Sequence, residues 1–172
     1  LKYIAQNLKE YGVTVFVAVP LVLENMYKKI QKEIEKSGKT SLIATMKKIS
    51  NGLLKYHIDL RKLLFKPVLK KFDEKLRVVF YGAAPMNKQT ILGYNEMGIE
   101  LIQGYGLTET SPVIACETDK RKMPGSVGFP LVNLEVKIDS PNEEGIGEIA
   151  VKGPSVMAGY YQNEEATQKV LK

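Results

Sequence analysis

With 172 residues and an apolar share of 44%, the chain is long enough for one domain with a sizeable core. The single cysteine, Cys116, excludes an internal disulfide and points to a reducing, cytoplasmic setting, and no apolar run approaches the roughly 20 residues a transmembrane segment needs. The formal net charge of +6 gathers in residues 47–71, where Asp59 is the one acid among lysines and Arg61. Such a stretch suits contact with an anionic membrane or an acidic partner, with a solvated helical face as the plain alternative. No aromatic residues are interleaved there as base stacking would require, which argues against nucleic acid as a partner.

Residues 1–11 fit the end of an amphipathic helix, with Ile4 and Leu8 four apart and Gly12 just past it. Residues 13–19 are almost wholly apolar and β-branched, as in a strand buried on both faces. Pro20 opens a helix whose apolar positions Leu23, Met26, Tyr27, Ile30 and Ile34 keep helical spacing, and Ser37-Gly38 ends it. Thr40 or Ser41 caps the next helix, with Leu42, Met46, Ile49 and Leu53 on one face. A third helical piece starts near Asp59 and breaks at Pro67, within a basic helical stretch over 41–72.

From Leu76 the pattern changes. Residues 76–81 read as a buried strand ending in Gly82-Ala83-Ala84-Pro85. A helix over 88–97, capped by Asn87 and ended by Gly98, leads into a strand over 99–102. Strand, helix and strand at this spacing make a βαβ unit over 76–102, which requires parallel strands and a right-handed crossover. Both strands then end on one edge of the sheet, where open α/β sheets bind ligands. Val113 to Cys116 is a further strand-like run in which Cys116 reads as a small buried residue. Leu134, Val136 and Ile138 alternate with Glu135, Lys137 and Asp139, and with residues 146–152 they form an antiparallel hairpin around a turn at 141–145. Asn163 caps a last helix with Glu164 and Glu165 in its first turn.

The stretch Gln103-Gly104-Tyr105-Gly106-Leu107-Thr108-Glu109-Thr110-Ser111 carries the chemistry. Two glycines flank one aromatic ring, so the backbone can approach a ligand closely. Hydroxyls and a carboxylate follow that no tight turn needs: a flat ring for stacking, hydroxyls for an oxyanion, an acid for a hard cation. Read on spacing alone, it is equally a glycine-rich turn into a threonine-capped helix, with Tyr105 a half-buried core ring and Glu109 a helix-start carboxylate.

Residues 103–111 resemble the tyrosine-glycine-leucine-threonine-glutamate signature of adenylate-forming enzymes, and specifically of long-chain acyl-CoA synthetases. In the expected order, Val79-Phe80-Tyr81-Gly82-Ala83-Ala84-Pro85-Met86 resembles their adenine loop, and Gly147-Glu148-Ile149-Ala150-Val151-Lys152-Gly153-Pro154 with Val156-Met157-Ala158-Gly159-Tyr160-Tyr161 the segment after the signature. Weaker similarity at 14–20 extends the resemblance almost to the first residue. The resemblance implies ATP/AMP, Mg²⁺, CoA and a fatty acid as cofactors and substrates of a longer parent enzyme. It implies that Tyr105 lies against adenine, that Gly82, Ala83, Ala84 and Pro85 contact its rim, and that Gln103, Gly104 and Gly106 line the nucleotide site. It also implies that Thr108 bonds the α-phosphate and that Glu109 holds the metal, which makes these two the catalytic pair.

The expected architecture is an α/β, βαβ-containing layered fragment over 1–116, followed by a small antiparallel β subdomain over 125–172. A subdomain boundary is expected at 117–124. Because the chain opens on Leu1 and ends within a helix, it reads as an internal fragment. No glycine-rich loop followed by Lys is present to cradle the β- and γ-phosphates, and the family's C-terminal lysine-bearing domain is expected beyond Lys172, so the fragment alone is expected to be inactive. His57, the only histidine, reads as a surface residue. Two rivals stand beside this reading. One is a non-catalytic module whose basic helices dock on a membrane or an acidic protein. The other is a dinucleotide-binding domain, which lacks its third glycine and its acidic residue on a following strand.

Overall fold

The computed structural model describes residues 3–70, 75–118 and 123–171, and the chain divides into two units, Leu1–Gln103 and Gly104–Lys172. Helix α1, Ile4–Tyr11, stops where Gly12 turns left-handed at φ 60° and ψ 48°. Strand β1, Val15–Ala18, hands over to helix α2, Pro20–Lys36, with Pro20 in the first turn where its missing N–H costs nothing. Leu23, Met26, Ile30 and Ile34 form the buried stripe of α2, as their spacing predicts. Helices α3 (Thr40–Leu54), α4 (Arg61–Leu64) and α5 (Lys66–Leu69) follow, then β2 (Val78–Tyr81), α6 (Lys88–Glu96) and β3 (Glu100–Tyr105).

The three strands are parallel, with Ala18 opposite Tyr81 and Tyr81 opposite Gln103, so α6 is the crossover of a βαβ unit. Asn87 caps α6 by accepting from the Gln89 N–H at 2.8 Å. Leu23, Val79, Tyr94 and Leu101 are at most 2% exposed and mark the centre of the core, each burial stabilising by roughly 1.5–3 kcal/mol. The Tyr94 hydroxyl donates to the Leu23 carbonyl at 2.8 Å, which satisfies a group that burial holds well above its ordinary pKa. Gly93 lies so close to the Tyr27 ring that any side chain there would collide with it.

In the second unit, Gly104 and Tyr105 at the end of β3 pair antiparallel with Cys116 and Ala115 of β4, Ala115–Cys116. Strand β4 pairs with β5, Phe129–Pro130, giving the order β1-β2-β3-β4-β5. The hairpin of β6 (Glu135–Asp139) and β7 (Glu148–Lys152) is a separate antiparallel sheet with Val136 opposite Val151 and Ile138 opposite Ile149. Asn142 builds its turn, its side chain accepting from the Glu144 and Ile146 N–H groups. Helix α7, Glu164–Val170, starts at Asn163, which accepts from the Ala166 N–H at 3.1 Å. The architecture is therefore the expected one, a parallel βαβ layer and then a small antiparallel piece.

Several local expectations change. Val15 and Val17 are 53% and 76% exposed, because only alternate residues of β1 face the core. Neither Thr40 nor Ser41 caps α3; the cap position is Lys39, without a side-chain bond. The packed face of α3 is Ile43, Met46 and Ser50, while Leu42 and Ile49 point outward. Apolar residues ring most of this helix, so spacing alone allowed two faces. Pro67 does not break the piece after Asp59; it sits in the first turn of α5, which tolerates it, and the interruption falls at Phe65. Strand β3 runs three residues past Ile102, because β4 offers Gly104 and Tyr105 a partner. The boundary expected at 117–124 lies partly outside the described residues. Among the described residues, no helix is long and apolar enough to cross a membrane.

Candidate functional site

Within the first unit, β2 releases the chain at Tyr81 into residues 82–85. Gly82 is half-buried, while Ala83, Ala84 and Pro85 are exposed, and Ala83 sits at φ 67°, a strained value for a residue with a side chain. With only small side chains present, the loop offers mainly backbone to a ligand. Gln103 is the register partner of Tyr81, and the Tyr81 hydroxyl donates to its Oε1 at 3.0 Å. The 82–85 loop therefore starts beside Gln103.

Within the second unit, Gly104 and Tyr105 are strand residues, and the Tyr105 carbonyl accepts from the Ile114 N–H at 2.7 Å. Pairing with β4 fixes this backbone, while the Tyr105 ring is half-buried and does not belong to the buried apolar cluster. Gly106 passes against the Pro112 carbonyl so closely that a Cβ would overlap it, so the turn requires glycine here. The chain closes through a 3₁₀ turn, Thr108–Thr110, and Ser111 at φ 54°. Thr110, 5% exposed, locks that turn: its hydroxyl donates to the Leu107 carbonyl at 2.9 Å and accepts from the Leu107 N–H at 3.2 Å.

With Thr110 turned inward, Thr108 faces solvent, and its side chain makes no hydrogen bond among the described residues. Glu109 is held twice. Its carbonyl accepts from the Met157 N–H at 2.8 Å, and its Oε1 accepts from the Tyr160 hydroxyl at 2.8 Å. The Tyr160 bond, with Glu109's own backbone, keeps the carboxyl below its ordinary pKa, and the same bond raises that of Tyr160. Glu109 is thus an anion at neutral pH beside an exposed hydroxyl. No group of three His, Cys, Asp or Glu residues fit for a metal occurs among the described residues. A single carboxylate still suits Mg²⁺, which is commonly held by one or two carboxylates plus substrate phosphates.

The outer residues read as expected or nearly so. His57 is exposed after α3. Cys116 is half-buried rather than buried, and burial followed by the neighbouring Glu117 pushes its thiol pKa up. Sequence reasoning gave Tyr160 no role. Its motif was visible, but a bond between positions 51 apart leaves no periodic trace.

Comparison with known proteins agrees with the fold. The chain is 29% identical to a chloroplastic long-chain-fatty-acid–[acyl-carrier-protein] ligase of Arabidopsis thaliana, over 99% of this chain and 30% of that protein. It is also 29% identical to long-chain-fatty-acid–CoA ligase 6 of Rattus norvegicus, over 99% of this chain and 26% of the relative. The chain thus spans between a quarter and a third of the length of these curated relatives. The N-terminal domain of FACL13 from Mycobacterium tuberculosis superposes with a TM-score of 0.65 at 20% identity, over 99% of this chain and 36% of that one, and shares the fold. The model of the AMP-binding enzyme family matches residues 1–161, running through the basic stretch as well as the signature, which leaves the separate docking module without support. The chain belongs to the AMP-binding enzymes.

Proposed function

We propose that this chain is the middle of the adenylating domain of a long-chain-fatty-acid–CoA ligase, an AMP-forming acid–thiol ligase. The fatty acid carboxylate attacks the α-phosphate of ATP, pyrophosphate leaves, and the CoA thiol then displaces AMP from the mixed anhydride. The observation that carries the reading is the Thr108–Glu109 pair: an outward hydroxyl next to an anchored anionic carboxylate on a turn that Thr110 locks. Thr108 donates to the α-phosphate, and Tyr105 offers a half-buried ring to adenine. Gly82, Ala83, Ala84 and Pro85 present backbone to its rim, Gln103 and Gly104 line the junction with the acyl tail, and Gly106 belongs to the nucleotide site. Glu109 would hold Mg²⁺, which when bound neutralises charge on the phosphates.

The test is pyrophosphate release by the full-length protein over a series of acids, from short to long chain, with CoA and acyl carrier protein compared as thiol acceptors. Release that rises with long-chain fatty acids, and thioester formation on CoA, is the expected result. Release driven by other acids, or transfer to acyl carrier protein alone, would overturn the assigned substrates.

We extend the reading to location: the ligase is cytoplasmic and meets anionic membrane through its basic stretch. Lys62, Lys66 and Lys70 are four apart and exposed, and Leu42, Ile49, Tyr56 and Leu63 are all more than half exposed nearby in sequence. Each basic residue at such a surface is worth about 1 kcal/mol. Reversing the three lysine charges should abolish co-sedimentation with anionic vesicles; unchanged co-sedimentation would refute the contact.

A further inference from the structure

We propose that Tyr160 is a positioning residue that aims the Glu109 carboxylate, an inference that rests on the role just given to Glu109. Glu109 stands in a three-residue 3₁₀ turn on a solvent-facing side chain. Within that turn the carboxylate's partner is Glu109's own backbone. Its two anchors from outside the turn both come from one short stretch far along the chain: the Met157 N–H on its carbonyl and the Tyr160 hydroxyl on its Oε1, each at 2.8 Å. One fixes the backbone and the other fixes the side chain.

Tyr160 is itself held. Its N–H donates to Thr167 Oγ1 at 2.9 Å, and the Thr167 hydroxyl donates to the Asn163 carbonyl at 2.8 Å. Gly159, at φ 145°, lies against the same threonine, where a Cβ would come within 2.9 Å of its Cγ2. A continuous series of bonds therefore runs from the start of α7 through Tyr160 to Glu109. The ring is 38% exposed, so burial does not account for its placement. A hydroxyl donor also suits the task chemically. It orients a carboxylate and leaves its charge intact, whereas a Lys or Arg partner would neutralise the charge that a divalent cation needs. Carboxylates that ligate metals are commonly held by such outer hydrogen bonds, and losing one typically costs 10–100-fold in metal affinity or activity.

The experiment titrates Mg²⁺ against ATP affinity by calorimetry in the full-length protein, without fatty acid or turnover, and records melting temperature for each variant. Tyr160→Phe should raise the Mg²⁺ concentration at the midpoint by about 10–100-fold, leave ATP affinity without Mg²⁺ unchanged, and keep the melting temperature. Thr167→Val, which takes the acceptor from the Tyr160 N–H, should shift the midpoint in the same direction by less. Tyr161→Phe, at the adjacent and 90% exposed ring, should not move it. If Glu109→Gln shifts the midpoint and both Tyr160→Phe and Thr167→Val do not, the positioning role is overturned while that of Glu109 stands. If Glu109→Gln leaves the midpoint in place, the role of Glu109 falls, and this inference with it. A lower melting temperature at an unmoved midpoint would make Tyr160 a packing residue and overturn the proposal.

Discussion

The two units differ in what holds them. In Leu1–Gln103 every buried member of the main apolar cluster, from Leu8 on α1 to Leu101 on β3, packs around one parallel sheet. In Gly104–Lys172 the buried apolar residues among those described are Ile114 and Ala115, and the hairpin leaves Ile138, Ile146 and Ile149 at 46%, 65% and 41% exposure. An isolated two-stranded hairpin is marginal in water. What orders the second unit is instead hydrogen bonding: Thr110 on Leu107, Met157 and Tyr160 on Glu109, Thr167 on Tyr160. Apolar burial builds the frame, and polar bonds set the direction of the groups proposed to meet a nucleotide.

That contrast can be broken in either unit. The largest effect is expected in the first. Leu101→Ala, at a position 1% exposed, should lower stability by about 2–5 kcal/mol while the folded fraction keeps its ATP affinity. Loss of affinity in proportion to stability would show that the frame also shapes the site. In the second unit the pattern should invert. Glu109→Gln removes an exposed charge, so the melting temperature should hold while the adenylation rate falls by about 10²–10³. Near-parental turnover at ordinary Mg²⁺ would make Glu109 a helix-start residue.

The smallest expected effect sharpens the same line. Asp59 accepts from the Arg61 side chain at 2.8 and 2.9 Å, and this pairing first, against some burial, holds its carboxyl below the ordinary 3.8. A depressed folded pKa gives stability that is present above 3.8 and lost as pH falls through the folded value. With the Asp59 side chain 48% exposed, solvent screening limits the gain to below ~1 kcal/mol. Asp59→Asn should therefore cost that little at neutral pH, and in strong acid the two proteins should melt alike. A persistent gap in acid would mean that shape rather than charge matters at this position.

The sequence was legible where one physical rule decides. Pro20, Asn87 and Asn163 mark their helix starts, the βαβ spacing implies parallel strands, and alternation gives the β6–β7 hairpin. It was ambiguous where two rules compete, as on α3, whose apolar residues permit either Leu42 and Ile49 or Ile43 and Met46 to face inward. It was silent where a partner distant in sequence decides: β4 extends β3 through Tyr105, and Tyr160 finds Glu109. Of the site, the residue types were readable, and what anchors them was not.

ATP affinity at Tyr105 decides whether residues 103–109 meet a nucleotide. The ring is half-buried but outside the buried cluster, so truncating it should cost less stability than a core truncation. A π-face stacked on adenine would be worth about 1–3 kcal/mol, by analogy with base–aromatic stacking. In the full-length protein Tyr105→Phe should bind ATP as the parent does, and Tyr105→Ala should bind about 5- to 150-fold more weakly, with less loss of stability than a core truncation. Lost stability with intact ATP affinity in Tyr105→Ala would contradict the account.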